Sequence, residues 1–294
     1  MKSVIEQMLG QYNADTLFDK KNSIKEVVQE ITLCGLSRAG FFSKAAFYGG
    51  TALRIFYGLD RFSEDLDFSL MVTDPTFNFS EYIPVLEKEV RSYGLKFNTE
   101  VKEKSVDSNI KSAFMKGNTK EHMLMFYSNE DFIPSIAANE LIKVKFEVDV
   151  NPPSYADFET KYRLLPIPYE IVLYDMPSLF AGKIHAILCR AWKNRVKGRD
   201  LYDFIFYMSR GVTVNLRHLT ARLIQSGYIN EGAKLSLGDV KEILKEKFYS
   251  IDFSQAKQDV LPFIVNPASL DVWKAEFFSS IANKLVASER NEKP

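Results

Sequence analysis

Cysteine is scarce. Cys34 and Cys189 are the only two in 294 residues, so no disulfide framework can be built. Both fall in apolar helical stretches and read as small buried hydrophobes. Histidine is nearly as rare, and His122, His185 and His218 are scattered along the chain. That argues against zinc chemistry and leaves oxygen ligands for any metal. Neither sign of charge is in excess. The 38 Lys+Arg balance 38 Asp+Glu, which excludes a globally basic coat for nucleic acid and leaves room only for a local patch. No run approaches the ~18 uninterrupted apolar residues of a membrane span. The opening MKSVIEQMLGQYNAD is too polar for a signal peptide. The expected setting is the cytoplasm, with no membrane partner.

What is present is a globular chain. At 46% hydrophobic and 26% charged residues, disorder is excluded. At about 150 residues per domain the length allows two domains or one large one. The first stretch, about 2–38, reads as helical, with Asn22 a candidate N-cap and Ile24, Val27, Val28, Ile31 and Cys34 at helical spacing. A short apolar run, 45–48, leads into Gly49-Gly50-Thr51 and a brief helix, 52–57. Leu66, Phe68, Leu70 and Val72 alternate with polar neighbours, which predicts a strand over 65–72. A helix is expected over 80–93, and short strands and loops over 95–135. A second alternating strand is expected over 143–150, and a third over 169–174. Beyond Pro177 the pattern is helical, over 199–209, about 215–226, 238–248 and 268–287. Strands followed by helices favour an α+β fold. The expected division is a mixed α/β domain over 1–170 and a helical domain over 171–294.

Chemistry concentrates in a few places. A strand, then Gly49-Gly50-Thr51, then a helix presents backbone N–H groups and a hydroxyl at a helix N-terminus, which attracts phosphate. Asp65 and Asp67 are two apart on a strand, so their carboxylates share a face with Cα atoms about 7 Å apart. Two such carboxylates suit Mg²⁺, which takes oxygen ligands and shares them with substrate phosphates. The plain alternative is a glycine turn beside a solvated strand face. If the second strand pairs near the first, Glu147 can supply a third carboxylate and Lys145 a cation for phosphate; the bland reading is an alternating-charge face. Lys183 borders an apolar stripe, where a lysine either snorkels or reaches an anion. A basic cluster follows, Arg190, Lys193, Arg195, Lys197 and Arg199, and then Asp200 and Asp203 one turn apart. It offers either a rim for triphosphate or RNA backbone, or a set of surface ion pairs.

Four blocks together resemble the AbiEii/AbiGii family of nucleotidyltransferase toxins, known from bacterial abortive-infection and type IV toxin–antitoxin systems. Gly49-Gly50-Thr51-Ala52-Leu53-Arg54 with Asp65-Leu66-Asp67-Phe68-Ser69 is similar to the family's Gly-Ser/Thr and Asp-x-Asp block. Lys145-Phe146-Glu147 is like Lys-x-Asp/Glu. Asp175 with Lys183-Ile184-His185-Ala186 is like Asp and Lys-x-x-Ala. Lys197-Gly198-Arg199-Asp200-Leu201-Tyr202-Asp203 is similar to Arg-x-Lys-Asp-x-x-Asp. The connection from Thr51 to Asp65 is slightly long, and seven residues separate Asp175 from Lys183. The two basic residues of the last block are exchanged, and Arg and Lys are not equivalent for bidentate phosphate contact.

The resemblance implies a polymerase-β-like nucleotidyltransferase core with a mixed sheet, joined to a helical domain. It implies NTP and Mg²⁺, a neighbouring antitoxin protein, a role in phage defence, and RNA, in some members the tRNA 3′ end, as acceptor. Asp65, Asp67 and Glu147 are then the expected metal ligands. Asp65, Asp67, Lys145, Glu147, Lys183 and Asp200 are expected to act in catalysis. Gly49, Gly50, Thr51, Lys183, Arg199 and Asp203 are expected to bind the nucleotide. Modification of a protein or small molecule, or a silent NTP-binding or partner-binding module, are the alternative functions.

Overall fold

The structure is a computed structural model. It describes residues 3–102, 109–127, 133–190 and 196–288. The chain divides into two compact units, each discontinuous in sequence.

The first unit takes the residues up to Ala52, then 64–152 and 160–173. It opens with α1 (Val4–Leu9) and the long α2 (Leu17–Arg38). Thr16, not Asn22, begins α2. Its hydroxyl accepts from the Asp19 amide and the Asp19 carboxylate answers to the Thr16 amide, a reciprocal cap. Asn22 lies inside the helix. Strand β1 (Ala45–Tyr48) runs directly into α3 (Gly49–Tyr57), so the glycine pair forms the first turn of the helix. β2 (Asp65–Leu70) follows. It ends two residues earlier than the alternation suggests, and Val72 is exposed. After α4 (Ile83–Ser92) comes the ambiguous region of the sequence. Its described residues form β3 (Asn98–Lys102), β4 (Ile110–Asn118) and α5 (Thr119–Phe126). Next are β5 (Leu141–Asp149), β6 (Phe158–Arg163) and β7 (Tyr169–Tyr174).

The sheet has seven strands in the order β3-β4-β5-β2-β1-β7-β6. β1 is antiparallel to β2, β2 is parallel to β5, β4 is antiparallel to both β3 and β5, and β1 is parallel to β7. The sheet is therefore mixed and the fold is α+β. The parallel β2–β5 pair needs a crossover, and the long excursion through α4, β3 and β4 provides it. The buried side of the central strands carries Phe47, Leu66, Phe68, Val144, Phe146 and Val148. Phe41 packs edge-on against Phe42, Phe68, Phe77, Phe79 and Tyr82, an arrangement that aligns ring edges with ring faces.

The second unit takes 53–63, 153–159 and the described residues from Tyr174 onward. Its helices are α6 (Met176–Cys189), α7 (Gly198–Ser209), α8 (Leu216–Gln225), α9 (Leu237–Tyr249), α10 (Phe253–Val260) and α11 (Ala275–Ala282). The single helix expected over 268–287 is a short 3₁₀ turn, Pro267–Leu270, followed by α11. Asp175 caps α6 by accepting the Ser178 amide at 2.9 Å, and Pro177 sits in its first turn. The core centres on Phe204, which packs with Phe180, Phe248 and Phe278. Gly198 is required here for a packing reason: a Cβ on it would run into the carbonyl oxygen of Ala256, so only glycine lets α7 and α10 approach this closely. Cys34 is buried as expected, whereas Cys189 is half-exposed.

Candidate active site

In the first unit the β2–β5 register decides which side chains meet. Asp65 lies opposite Lys145, and Asp67 opposite Glu147. Opposed residues of paired strands project from the same face, so three carboxylates and one ammonium share one patch of the sheet. Leu66, Phe68, Phe146 and Val148 fill the other face, which fixes the polar side outward. Lys145 Nζ bonds Glu147 Oε1 at 2.8 Å, and the hydroxyl of Ser112 donates to the same oxygen at 3.4 Å. Burial works against the charged form of Lys145. The bond to Glu147, together with the charges of Glu147, Asp65 and Asp67, outweighs it and holds the lysine above its ordinary value.

The start of α3 is built against this face. Gly49 has φ +85°, and a Cβ there would lie 2.5 Å from Asp67 Oδ2. Glycine therefore serves twice, by adopting the left-handed conformation and by admitting the Asp67 carboxylate against the turn. Gly50 is half-buried beside it. Thr51 is fully buried, and its hydroxyl donates to the carbonyl of Asp65. It ties the first turn of α3 to β2 rather than presenting its oxygen at the surface. Gly49→Ala is expected to push Asp67 out of place: transfer activity should fall by about 5- to 150-fold with a lowered melting temperature, because strain and displacement of this size cost about 1–3 kcal/mol. Paired melting curves and rate measurements check it.

The donor set on this face is entirely oxygen, which matches a hard divalent cation. Among the described residues no three such side chains converge into a ready-made metal cluster. The residues fit an ion held by Asp65 and Asp67 and completed by substrate phosphate and water, the usual arrangement for Mg²⁺.

The second unit carries a separate ionic cluster. Lys183, from α6, bonds Asp200 Oδ1 and Asp203 Oδ2, each at 2.8 Å. Arg61 grips Asp203 through two parallel bonds, Nε to Oδ1 at 2.6 Å and Nη2 to Oδ2 at 2.7 Å. Arg190 pairs with the second oxygen of Asp200. Three cations thus surround two buried carboxylates, leaving a net charge of +1. Asp200 and Asp203 sit one turn apart on α7, which is why both reach Lys183. The sequence reading found Lys183, Asp200 and Asp203 but missed Arg61. Nothing local marks it: Arg61 sits among polar and acidic neighbours, Asp60, Ser63, Glu64 and Asp65, and its partner is 142 residues away.

Burial pushes the carboxyls of Asp200 and Asp203 up, but the neighbouring cations, Lys183 and Arg190 for the first and Arg61 and Lys183 for the second, bring both below the ordinary value of 3.8. Carboxyls depressed in the folded state stabilise it fully above their unfolded values and less as pH falls through the folded ones. The melting temperature should therefore drop on acidification below about pH 4. An Asp203→Asn variant, already lacking one of the two groups, should show a shallower drop.

Other expected site residues have local partners. The Arg199 guanidinium lies 4.2 Å from the centroid of the Phe263 ring. Burial, then the charges of Arg222 and Arg190, push His185 down to about 4, so it is neutral at physiological pH. Lys193 and Arg195 of the basic cluster lie outside the described residues. The Gly49–Thr51 turn, Asp65, Asp67, Lys145 and Glu147 come together in one unit. Lys183, Asp200 and Asp203 come together in the other, with Arg61 and Arg190 added.

A family model, the nucleotidyl transferase AbiEii toxin of type IV toxin–antitoxin systems, matches residues 31–275. The chain belongs to the AbiEii nucleotidyltransferase toxin family. The match takes in both the carboxylate face and the ionic cluster of the second unit. MenT4, a nucleotidyltransferase toxin from Mycobacterium tuberculosis H37Rv, aligns over 96% of this chain and 90% of its own, with TM-score 0.56 and 15% identity. JHP933 from Helicobacter pylori aligns over 90% of this chain and 88% of its own, with TM-score 0.44 and 19% identity. At the first of these identities the likeness is one of fold. No curated protein matches the sequence. As an AbiEii family member the chain is a nucleotidyltransferase. No helix among the described residues is long and apolar enough to cross a membrane.

Proposed function

We propose that this AbiEii chain transfers a nucleoside monophosphate from an NTP to a hydroxyl on RNA, with a tRNA 3′ end as the acceptor, and that it acts as the toxin of a phage-defence pair with a cognate antitoxin protein in the cytoplasm. The observation that carries the reading is the pairing of Asp65 and Asp67 with Lys145 and Glu147 on one face, against the glycine turn that opens α3. A backbone turn at a helix start binds phosphate.

In the reaction the acceptor oxygen forms a bond to the α-phosphorus, the bond to the bridging oxygen breaks, and pyrophosphate leaves with that electron pair. Gly49 and Gly50 place main-chain N–H groups at the phosphates. Asp65 and Asp67 would hold Mg²⁺, with Glu147 the third carboxylate; the ion supplies charge neutralisation of the phosphates. Glu147 takes the acceptor proton. Lys145, kept charged by its carboxylate neighbours, offsets charge developing on the α-phosphate. Lys183, fixed by Asp200 and Asp203, is assigned to nucleotide binding and catalysis, with the two carboxylates as its positioning residues. Arg199 is assigned to nucleotide binding. The remaining basic residues of the 190–199 stretch provide local attraction for RNA backbone, since the chain as a whole is neutral.

The acceptor is tested by incubating the protein with α-labelled NTPs, Mg²⁺ and total tRNA, then separating RNA, protein and small molecules. Label on the RNA is expected. Label migrating with polypeptide or with a small molecule would replace RNA as acceptor, and no label anywhere would favour a silent binding module.

A further inference from the structure

The second unit contains a cavity of about 400 Å³ that none of the assigned roles uses. This volume falls within the range of ordinary ligand sites, about 300–1,000 Å³. Its walls include Tyr202, Phe206 and Trp273, its charged groups are Asp60 and Arg210, and Ser209 and Ser269 add hydroxyls. Trp273 is almost fully buried, while Tyr202 and Phe206 are half-buried and Asp60 and Arg210 exposed. The cavity is therefore aromatic at its base and charged near its mouth.

The two charged groups are held differently. Arg54, on α3, donates to the carbonyls of Leu59 and Asp60 at 3.1 and 2.7 Å and so fixes the segment bearing Asp60. Asp60 Oδ1 accepts the Tyr202 hydroxyl at 2.8 Å. A carboxylate has about four acceptor positions, so most remain for a ligand. Arg210 lies with its guanidinium 5.2 Å from the centroid of the Phe206 ring, and no carboxylate pairs with it among the described residues.

Aromatic walls, an acceptor-only carboxylate and a guanidinium define the occupant. It needs a flat apolar body, neighbouring N–H donors and an anionic group. We propose that this cavity is a second nucleotide site, taking a guanine nucleotide with its base among the aromatic rings, its donor edge at Asp60 and its phosphate at Arg210. Guanine presents two adjacent N–H donors to one carboxylate. Adenine and cytosine each offer a single amino group beside an acceptor, which a carboxylate does not match. Base–aromatic stacking supplies affinity. An adjoining cavity of about 270 Å³ shares Ile205 and Ser209 with the first and has Lys284 in its lining. The ligand is thus either a free nucleotide or one unit of a strand whose neighbour reaches Lys284.

Binding is tested apart from the transfer reaction, in a chain that carries Asp65→Asn and Asp67→Asn. Trp192 and Trp273 are the two tryptophans, so Trp192→Phe leaves Trp273 as the reporter. GMP, CMP and a GpA dinucleotide are titrated while Trp273 fluorescence is read. Saturable quenching by GMP is expected, tighter than by CMP, and weakened at least about tenfold by Arg210→Ala and by Asp60→Asn, the size of one charged hydrogen bond. Melting curves of both variants confirm that they are folded. A dinucleotide binding much tighter than GMP assigns the site to a strand, and equal binding assigns it to the free nucleotide; both support the proposal. No saturable quenching at millimolar GMP, or quenching unchanged in both folded variants, overturns it.

Discussion

Asp67→Asn is expected to lower nucleotide transfer by about 10²–10³-fold while leaving the melting temperature nearly unchanged. The rate loss follows from the position of Asp67, beside Glu147 on the sheet and against the turn that begins α3. A group that stabilises developing phosphate charge contributes about 2.7–4 kcal/mol to the barrier. Asparagine keeps the shape of the side chain and one acceptor oxygen but removes the negative charge that would hold the cation. The half-buried position and the unchanged volume limit the effect on stability. Position matters as well as charge: Asp67→Glu keeps the negative charge but should recover little activity, because its longer chain meets the closely packed Gly49 turn. Parallel rate and melting measurements on the two variants separate a chemical role from a structural one. Equal losses of stability and rate would point to misfolding.

The second large effect is one of stability. Asp203→Ala is expected to destabilise the protein by about 3–5 kcal/mol, the cost of removing one partner from a buried ion pair. Asp203 is fully buried, and its two oxygens satisfy the guanidinium of Arg61 and part of the ammonium of Lys183. Its removal leaves Arg61, itself almost inaccessible, with a buried charge whose remaining hydrogen-bond partner among the described residues is the carbonyl of Phe62 at 3.0 Å. Arg61→Ala alone should also be costly. The double variant, with no stranded charge, should be less destabilised than the sum of the two single ones. Denaturant unfolding of the three variants gives the coupling directly, and additive losses would show that the pair does not act as a unit.

These two effects come from features of unequal legibility in the sequence. The alternation in 65–70 and 143–149 has a period of two and a clean apolar side, so both strands and the outward direction of Asp65, Asp67, Lys145 and Glu147 can be read from it. The register that sets Asp67 beside Glu147 cannot, because parallel pairing across a long crossover leaves no local mark. β6, with alternating exposure but few apolar residues, has too weak a pattern to distinguish from a loop. The region after Gly94 holds β3 and β4, where polar residues fall among the apolar ones and blur the period. α10 (Phe253–Val260) is missed because its short, polar sequence buries only Ala256 and Val260. Asn22 suits a cap by residue type, but Thr16 and Asp19 form a complete reciprocal cap six residues earlier. Arg61 is invisible for the same reason as the register: tertiary contact alone gives it a role.

Divalent-ion-dependent transfer of a labelled nucleoside monophosphate, measured on the unaltered chain and on the Asp65→Asn, Asp67→Asn double variant at matched folded concentration, is the most direct test of the carboxylate face as the reaction centre. The account predicts transfer by the unaltered chain that disappears on chelation and is lost in the double variant. Transfer that survives in the double variant would contradict it.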